Sequence, residues 1–393
     1  MVILMLLEND FLTDFRVRKE VNSLVEENHR VIVAGISKEE VAFKKVLPEC
    51  TLFMKRIPSF YYKASVGALK FPFYFNFWRS YISEILTSET PDAVHVHDLP
   101  LAKVGLELRD KYNLKMVLDL HENWPAFLEV SQHTQTFLGR KLSSERQWRI
   151  YEKDCCLQAD AIITVVQEMK DRIVKTGINP GKISILENTP LLKKTEKRPD
   201  REPGGKYILL YVGGTTYHRG IQFILEGLTK TVNKSAVKLI IAGDGRYLQY
   251  LKDLSLKLGL NDTLVEFKGK VSKPMTETLM HESDIALIPH IRSEQSDNSS
   301  PNKLYDYMSA GLPVLASDCS SVKRILQETE AGITYIYNDP ADFAQKLNSL
   351  INNKAALLKM AENGLAAFTN KYHWENSARD LKSIYSRFNN HCL

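Results

Sequence analysis

The stretch 298–318, NSSPNKLYDYMSAGLPVLASD, carries residues whose types and spacing suit the binding of an anion. Ser300 is expected to cap a helix whose first turn contains Pro301, because proline has no backbone N–H to lose there. The unpaired N–H groups of that turn and the positive end of the helix dipole attract a phosphate. Lys303 lies on the same turn and could reach the same anion, although a solvated lysine is the alternative. The stretch therefore predicts a phosphate-binding helix start.

The remainder of this stretch predicts a second polar contact and then a strand. Asp306 falls inside the helix, where its carboxylate could accept hydrogen bonds from a ribose diol. Gly311 is expected to end the helix, and Pro313 prevents its continuation. Residues 314–316 are apolar and predict a buried parallel strand.

A glycine-rich turn, GGTTYHRG, follows the apolar run 207–212 directly. Gly213 and Gly214 allow the backbone to approach a ligand closely. Arg219, at the start of the next helix, could bind a diphosphate with its guanidinium group. The alternative is an ordinary turn between strand and helix with a solvated arginine.

Sequence signatures of other nucleotide and hydrolase sites are absent. Gly243 opens a Gly-Asp-Gly turn, but Leu248 occupies the last glycine position of GxGxxG, which argues against a dinucleotide site. The chain has no Walker-type phosphate loop, no G-x-S-x-G elbow and no Asp-x-Asp pair. A bound nucleotide diphosphate would therefore have its charge met by Arg219, Lys303 and helix ends.

Histidines lie on or just after two predicted strands of the first half. His121 and Glu122 follow the run 115–119, which places them on the edge where parallel sheets bind ligands, although a structural histidine is the alternative. His95 and His97 stand at i and i+2 and share one face of a strand, so they could bind a metal. No third ligand with suitable spacing is apparent, and we predict no metal site.

The segment 61–79, YYKASVGALKFPFYFNFWR, combines crowded aromatic residues with flanking lysines and an arginine. Such a composition suits a membrane interface or a lipid-linked ligand. A buried aromatic helix start is the alternative. The basic residues are too few for a nucleic-acid groove, so no nucleic-acid partner is predicted.

Short apolar runs alternate with helical stretches through both halves of the chain. In the first half, strands are predicted at 2–7, 30–34, 93–96, 115–119 and 161–165, and helices at 14–27 and 142–157. In the second half, strands are predicted at 207–212, 237–242, 265–268, 285–289 and 314–316. This alternation predicts an α/β fold with parallel sheets covered by helices on both faces. We expect two Rossmann-like domains that face a central cleft.

The 393 residues are enough for two domains of ordinary size. The stretch 191–206 is charged, rich in proline and glycine, and predicted to be the linker. The N-terminal domain is then 1–190 and the C-terminal domain 207–373. A final helix falls within 374–393, and whether it packs back on the N-terminal domain stays open.

Composition favours a globular protein of the cytoplasm. Apolar residues make up 44% and charged residues 25%, while the net charge of +5 permits an anionic ligand or surface without requiring one. The cysteines form no disulfide framework, which fits a reducing compartment, and Cys155 and Cys156 are predicted to lie in the core. The apolar start lacks a basic leader and predicts a first strand rather than a signal peptide. Peripheral contact with the inner face of the membrane through 61–79 stays open.

In their order and spacing these motifs resemble the family-4 glycosyltransferases, retaining enzymes of the two-domain GT-B fold. The resemblance covers nearly the whole chain and is carried by VHVHDLP, LDLHENWP, ENTP, YVGGTTYHRG, AGDG and PNKLYDYMSAGLPVLAS. It implies a nucleotide-sugar donor, UDP- or GDP-linked, held mainly by the C-terminal domain. It also implies a glycan or lipid-linked acceptor held mainly by the N-terminal domain.

The resemblance also implies roles for single residues. His121 matches the histidine near the sugar and, with Arg219 and Lys303, is expected to be catalytic. The implied donor-binding residues are Gly213, Gly214, Arg219, Gly243, Asn298, Ser299, Ser300, Lys303 and Asp306. The implied acceptor-binding residues are Asp14, Arg16, His97 and Glu122.

Two positions depart from the motif of two glutamates separated by seven residues that typifies the family. Asp306 stands for the second glutamate, which binds ribose. Asn298 stands for the first, which usually contacts the donor sugar near the reacting carbon. Either a different sugar is chosen, or loop residues 299–301 take over this contact.

The mechanism that the resemblance implies needs no catalytic pair of carboxylates. Gly214 stands where the family has its first basic residue, so Arg219 and Lys303 must supply more of the charge that stabilises the leaving diphosphate. In retaining members of the family, that phosphate is thought to help deprotonate the acceptor hydroxyl. We therefore expect no cofactor and no metal, with the nucleotide-sugar as co-substrate.

Three functions are compatible with these features of the sequence. The first is hexosyl or N-acetylhexosaminyl transfer, which by analogy would serve bacterial surface polysaccharide synthesis. The second is a non-catalytic nucleotide-sugar-binding protein, suggested by Asn298. The third is a nucleotide-sugar epimerase, which shares the fold but acts on the donor alone.

Overall fold

The computed structural model describes residues 1–130, 143–193 and 205–390. The chain divides into two compact units, one comprising Met1–Asn188 with Asn376–Leu393 and the other Thr189–Glu375. Most of the predicted linker, 191–206, lies outside the described residues. The last helix has its first two residues in the second unit and the rest in the first.

The first unit is built on a sheet of eight strands. They are β1 (Val2–Leu6), β2 (Arg30–Ser37), β3 (Lys44–Val46), β4 (Thr51–Arg56), β5 (Ala93–His97), β6 (Lys115–Leu120), β7 (Ala161–Thr164) and β8 (Ile183–Ile185). Their spatial order is β3-β4-β2-β1-β5-β6-β7-β8. All neighbours are parallel except β3, which pairs antiparallel with β4. The order reverses beside β1, and ligands of such sheets bind at the carboxyl ends next to this reversal.

Helices connect these strands and cover the sheet. They are α1 (Phe15–Glu26), α2 (Ser59–Lys63), α3 (Phe73–Ile85), α4 (Ala102–Tyr112), α5 (Trp124–Val130), α6 (Glu145–Gln158), α7 (Gln167–Lys175) and, from the end of the chain, Trp374–Asn390. The carboxylate of Asp14 caps α1 by accepting hydrogen bonds from the backbone N–H groups of Arg16 and Val17. The cap fixes the first turn of α1, and therefore the position of Arg16.

The second unit contains a six-stranded, wholly parallel sheet. Its strands are β9 (Tyr207–Val212), β10 (Val237–Ala242), β11 (Val265–Gly269), β12 (Ile285–Ile288), β13 (Val314–Ser317) and β14 (Gly332–Tyr335), in the spatial order β11-β10-β9-β12-β13-β14. Its helices are α8 (Ile221–Lys230), α9 (Leu248–Lys257), α10 (Lys273–Glu282), α11 (Glu294–Asp297), α12 (Asn302–Ser309), α13 (Ser320–Thr329), α14 (Pro340–Ile351) and α15 (Lys354–Asn370), and the last helix of the chain is α16 (Trp374–Asn390).

Both faces of the second sheet are buried. Leu209 and Tyr211 of β9 belong to one hydrophobic cluster, together with Leu239 of β10. Leu210 of β9 and Ile240 of β10 belong to another. Alternate residues of one strand point to opposite faces, so the continuous apolar runs seen in the sequence follow from burial on both sides.

The predicted α/β class and the parallel arrangement are found in both units, and each predicted strand overlaps an observed one. Four strands among the described residues were not predicted: β3, β4, β8 and β14. Of these, β3 is short and fully exposed on the edge of its sheet, so it lacks the apolar run that marks a buried strand. Cys155 and Cys156 are buried, as expected.

The predicted cap of helix α12 is wrong. Pro301 is the residue before the first helical turn, and no side chain caps it. Ser300 stands one residue too early to reach the N–H groups of the first turn, and its hydroxyl oxygen is buried without a hydrogen-bond partner. At the other end, Gly311 has φ of 60° and stops the helix as expected.

No helix among residues 1–130, 143–193 and 205–390 is both long enough and apolar enough to cross a lipid bilayer.

Candidate functional site

The polar site of the first unit lies at the carboxyl ends of β5 and β6. These strands pair in parallel with His97 opposite Asp119, and the chain continues into Asp98 and His121 respectively. The Nε2 atom of His121 lies 3.0 Å from Oδ2 of Asp119 and 3.2 Å from Nδ1 of His97. His95 stacks on His97 with 4.5 Å between ring centroids. The sheet register therefore assembles three histidines around one carboxylate.

Arg16 anchors this cluster from helix α1. Its Nη2 atom donates to both carboxylate oxygens of Asp119, at 3.1 and 3.2 Å, and its Nη1 atom donates to the carbonyl of Leu186 at 3.0 Å. Its Nε atom lies 3.0 Å from Oε1 of Glu20. All three ionic side chains are buried. Arg16 thus holds Asp119 in one orientation toward His121.

The charges in this cluster follow from the ion pairs. Burial alone would raise the pKa of Asp119, but Arg16 and His121 outweigh it and hold that pKa well below its usual range. Burial alone would lower the pKa of His121, but Asp98 and Asp119 raise it to about 9. Burial lowers the pKa of His97 to about 3, since the neighbouring His95 and His121 add to this effect and together they outweigh Asp119, which raises the pKa. His121 is therefore an imidazolium at neutral pH, whereas His97 is neutral.

The expectation that no third ligand accompanies His95 and His97 is corrected here. Possible ligand atoms of Glu20, His95, His97 and Asp119 all lie within 4.8 Å of one another. Glu20 is far away in sequence, so spacing could not indicate it. The guanidinium of Arg16 already contacts both carboxylates. The guanidinium group of Arg16 therefore supplies a positive charge to both carboxylates of this group.

Asp98 has a strained backbone, which the sequence did not indicate. Its φ of 70° and ψ of 150° belong to a region that glycine usually occupies. Its backbone N–H donates to the carbonyl of Asp119 at 2.8 Å, and its Oδ2 atom lies 3.7 Å from Nδ1 of His121. This geometry places a second carboxylate beside the imidazolium.

A cavity of about 1060 Å³ lies next to this cluster within the first unit. The described residues that line it are Leu7, Glu8, Asn9, Asp14, Phe60, Tyr62, Ala64, Ser65, Val66, Gly67, Phe71, Phe73, Asp98, Glu122, Trp124, Phe127 and Leu128. Two of the implied acceptor-binding residues, Asp14 and Glu122, are in this set. The other two, Arg16 and His97, are buried in the ionic cluster instead.

The aromatic segment 61–79 is divided between core and cavity. Tyr74, Phe75 and Trp78 are buried on α3, as the buried alternative predicted. Phe71 and Phe73 are each 45% exposed and line the cavity. Part of the segment therefore builds the core, and part is available to a ligand.

The glycine-rich turn of the second unit follows β9, as predicted. A Cβ atom on Gly243 would stand 1.8 Å from the carbonyl oxygen of Gly213, so the turns after β9 and β10 can be neighbours only without a side chain there. Gly220 has φ of 69°, and a Cβ atom on it would stand 1.8 Å from the carbonyl oxygen of Pro289. These close approaches fix Arg219, which lies directly before Gly220.

Arg219 and Lys303 form a cationic pair at this turn. The Nη1 atom of Arg219 lies 3.0 Å from Nε2 of His290, a residue that sequence reasoning missed. Burial lowers the pKa of His290 well below its usual value, and the charges of Lys303 and Arg219 add to the effect, so His290 is neutral and accepts this hydrogen bond. The Nζ atom of Lys303 lies 4.2 Å from the ring centroid of Tyr211.

The ammonium group of Lys303 is buried and has no hydrogen-bond partner among the described residues. Burial, followed by the charge of Arg219, lowers its pKa well below the usual value. A Cβ atom on Gly213 would lie 2.7 Å from Nζ, so the ammonium group stands directly at the glycine turn. The buried hydroxyl groups of Ser300 and Thr215 also lack a partner in the described chain. Buried polar groups without a protein partner are commonly satisfied by a ligand, an ion or a water molecule.

Three other donor-binding predictions have different environments. The side-chain amide of Asn298 donates to the carbonyl of Glu294 at 2.7 Å, and the hydroxyl of Ser299 donates to the carbonyl of Gln295 at 2.8 Å. Asp306 is exposed on α12, one turn after Lys303. Asn298 is thus engaged within its own loop.

Comparisons with known proteins agree with this architecture. The family described as "Glycosyltransferase Family 4" matches residues 16–189, and the family "Glycosyl transferases group 1" matches residues 193–366. An uncharacterized glycosyltransferase of Methanocaldococcus jannaschii is 24% identical over 336 residues, which cover 78% of this chain and 80% of that protein. The two family matches together span both units.

Solved structures resemble the whole chain. Sucrose-phosphate synthase from Thermosynechococcus elongatus superposes with a TM-score of 0.77 and 15% identity, covering 99% of both chains. Anabaena HepE in complex with UDP-glucose superposes with a TM-score of 0.67 and 14% identity, covering 98% of this chain and 99% of the other. The fold is therefore that of the GT-B glycosyltransferases. The chain belongs to the family-4 type of these enzymes, as the sequence motifs implied.

Proposed function

We propose that the protein transfers a sugar from a UDP- or GDP-sugar to a glycan or lipid-linked acceptor. Support for the donor comes from the ammonium group of Lys303, which is buried beside Gly213 and Arg219 without a hydrogen-bond partner in the described chain. The oxygen atoms of a diphosphate would accept hydrogen bonds from this ammonium group. The negative charge of the diphosphate would balance the positive charges of Lys303 and Arg219. The structure of Anabaena HepE with UDP-glucose adds a relative that binds such a donor.

Each donor-binding residue has a proposed task. Arg219 and Lys303 stabilise the charge that develops on the leaving diphosphate. Gly213, Gly214 and Gly243 keep the turn open for the phosphates, and Ser300 donates its hydroxyl to them. Asp306, exposed on α12, binds the ribose.

Asn298 and Ser299 contribute differently. Since both side chains hydrogen-bond to backbone carbonyls of α11, we propose that they shape the loop beside the sugar and leave direct contact to its backbone. A glutamate at position 298 is then unnecessary, and the sugar is a hexose or N-acetylhexosamine held by fewer charged contacts.

In the first unit we propose that the cavity receives the acceptor. Asp14 and Glu122 line it, whereas Arg16 and His97 act through Asp119 and His121. The imidazolium of His121 is proposed as the catalytic histidine. We further propose that transfer proceeds with retention and without metal or cofactor, and that it serves surface polysaccharide synthesis in the cytoplasm. Peripheral membrane contact through 61–79 stays a prediction.

A thermal-shift panel of UDP, GDP, ADP and NAD, together with common UDP- and GDP-sugars, tests the donor class. A nucleotide at a hundred times its Kd stabilises by about 2.7 kcal/mol, which raises the midpoint by roughly 2–4 °C per kcal/mol. We expect a shift with UDP or GDP and none with NAD. Absence of a shift with every diphosphate would overturn the proposal.

The engaged amide of Asn298 favours one alternative, a protein that binds a nucleotide-sugar without turnover. Release of UDP or GDP from the matching sugar, in the presence and absence of glycan acceptors, separates the two. Binding without release in all cases would support the alternative. An epimerase would instead convert the donor with no acceptor present.

A further inference from the structure

The cavity of the first unit has an aromatic wall. Six aromatic side chains of the described residues line it: Phe60, Tyr62, Phe71, Phe73, Trp124 and Phe127. Phe60 is 65% exposed and Phe71 45% exposed, so these rings are held at a surface without being covered by the described chain. Its volume of about 1060 Å³ matches that of a site for a ligand of drug size or larger. The aromatic wall is therefore suited to contact with the apolar part of a ligand.

The same cavity has an acidic wall. Glu8, Asp14, Asp98 and Glu122 line it, and no lining residue in the described ranges is a lysine, arginine or histidine. Asp14 is engaged as the cap of α1. A phosphate or other anionic group placed here would find no lysine, arginine or histidine among the described lining residues to pair with.

The carboxyl groups of this wall are suited to hydroxyl groups. Burial raises the pKa of Glu8 to about 8 and that of Glu122 to about 8. Both are therefore mainly protonated at neutral pH. A protonated carboxyl group donates one hydrogen bond and accepts others, which matches the hydroxyl groups of a sugar or an alcohol.

We propose that this cavity binds an acceptor with an apolar body and an uncharged, hydroxylated polar end. The apolar body lies against the aromatic wall, and the hydroxyl groups lie against Glu8, Asp98 and Glu122. The inference rests on the proposed function, since it names the class of acceptor. An acceptor whose polar end is a phosphate or diphosphate would find no cationic partner among the described lining residues.

Three probes of known composition separate the two walls: n-octyl β-D-glucoside, methyl β-D-glucoside and n-octyl phosphate. Binding is measured by calorimetry on the full chain, with the octyl compounds kept below their micelle concentrations. We expect octyl glucoside to bind at least tenfold more tightly than either other probe. Equal binding of methyl glucoside would overturn the aromatic part of the proposal. Equal or tighter binding of octyl phosphate would overturn the acidic part, and no binding by any probe would overturn both.

Variants locate the binding in the cavity. Phe60→Ser and Phe71→Ser remove exposed rings and are expected to weaken octyl glucoside at least fivefold. Tyr112→Ser is the matched control, because Tyr112 is 44% exposed and lies outside the cavity lining. Unchanged affinity in both phenylalanine variants would overturn the proposal. So would an effect confined to the binding of phosphatidylcholine vesicles, which would assign the rings to a membrane.

UDP binding to the same wild-type sample separates this inference from the proposed function. If UDP or GDP binds and octyl glucoside does not, the acceptor inference fails and the donor assignment stands. If octyl glucoside binds as expected and no nucleotide does, the cavity chemistry stands and the proposed transferase function fails.

Discussion

The Nε2 atom of His121 lies 3.0 Å from the Oδ2 atom of Asp119, a carboxylate that Arg16 already holds with two hydrogen bonds. Because Asp119 is fixed by a buried cation, it cannot rotate away from the histidine. The contact, together with Asp98 on the other side of the ring, keeps the imidazole charged near neutral pH. A charged histidine donates from both ring nitrogens and cannot act as a base.

The first prediction concerns this charge. Asp98→Asn removes a carboxylate 3.7 Å from Nδ1 of His121, and we expect the pKa of His121 to fall from about 9 by about one to three units. The ring proton signals in an NMR pH titration measure it. Asp154→Asn, on the exposed side of α6, is the control and should leave the pKa unchanged. A His121 that titrates near 6.5 in the wild type would contradict the assigned charge.

The free energy of unfolding should depend on pH through the same titration of His121. The pKa of His121 is raised in the folded state, so its stabilising contribution is complete below pH ~6.5 and is lost as the pH rises through 9. In Asp98→Asn this loss moves to lower pH. Free energies of unfolding measured between pH 6 and 10, wild type against variant, report the difference. Parallel curves for the two proteins would show that Asp98 does not stabilise the charge.

The second prediction concerns the buried ammonium group of Lys303. Since its pKa is depressed mainly by burial, the folded chain binds the proton less strongly than the unfolded chain. The charge therefore costs stability below the unfolded pKa of ~10.4. We expect Lys303→Met to raise the melting temperature without ligand and to abolish the shift caused by UDP or GDP. A melting curve at pH 7 with and without nucleotide measures both effects.

The control for this change is Lys323→Met, an exposed lysine on α13. It should alter neither the melting temperature nor the nucleotide shift beyond a fraction of a degree. If Lys303→Met lowers the melting temperature and keeps the full nucleotide shift, Lys303 is a structural residue and the anion site lies elsewhere.

The parallel α/β units could be predicted from the sequence because most of their inner strands are buried on both faces and so appear as continuous apolar runs. The glycine turn after β9 was visible for a related reason: the close approach of Gly243 to Gly213 leaves no room for a side chain. Burial of a whole strand and a backbone contact that admits only glycine both restrict the residue types at neighbouring positions, so both can be recognised in the sequence. The family motifs then linked these local signals into one fold.

Other parts of the site depend on contacts between distant residues. Arg219 and His290 are 71 residues apart and meet only because β9 and β12 are neighbours. Arg16 and Asp119 are 103 residues apart. Nothing in the local pattern around His290, Glu20 or Glu8 distinguishes it from a residue of an ordinary turn or helix. The strained backbone of Asp98 could not be predicted either, since most aspartates have negative φ even though aspartate is enriched among the few residues that do not.

The third prediction compares two glycines of the second unit that have nearly the same positive φ. Gly220 and Gly259 have φ of 69° and 70°, but a Cβ atom would meet the carbonyl oxygen of Pro289 at 1.8 Å in the first and nothing within 4 Å in the second. Gly259→Ala should cost about 1–2 kcal/mol for left-handed backbone alone. Gly220→Ala should cost about 1–3 kcal/mol more, because backbone must move to relieve the overlap.

Calorimetric unfolding of the two alanine variants measures these costs, and nucleotide-induced shifts measure the effect on the site. Gly220→Ala should also weaken UDP or GDP binding, since it displaces Arg219, while Gly259→Ala should not. Equal destabilisation by the two substitutions would show that the contact with Pro289 relaxes freely.

The fourth prediction concerns catalysis by Arg219. Its guanidinium group is held by the neutral ring of His290 at 3.0 Å, so it is oriented before any ligand arrives. If it stabilises the leaving diphosphate, Arg219→Ala should lower the turnover of the nucleotide-sugar by two or more decades, or about 2.7 kcal/mol of transition-state stabilisation. Arg219→Lys, which keeps the charge without the bidentate geometry, should recover part of this loss.

Arg324→Ala, on the surface helix α13, is the matched control and should turn over normally. Circular dichroism verifies that each variant is folded, and near-normal turnover in folded Arg219→Ala would remove this residue from the catalytic machinery.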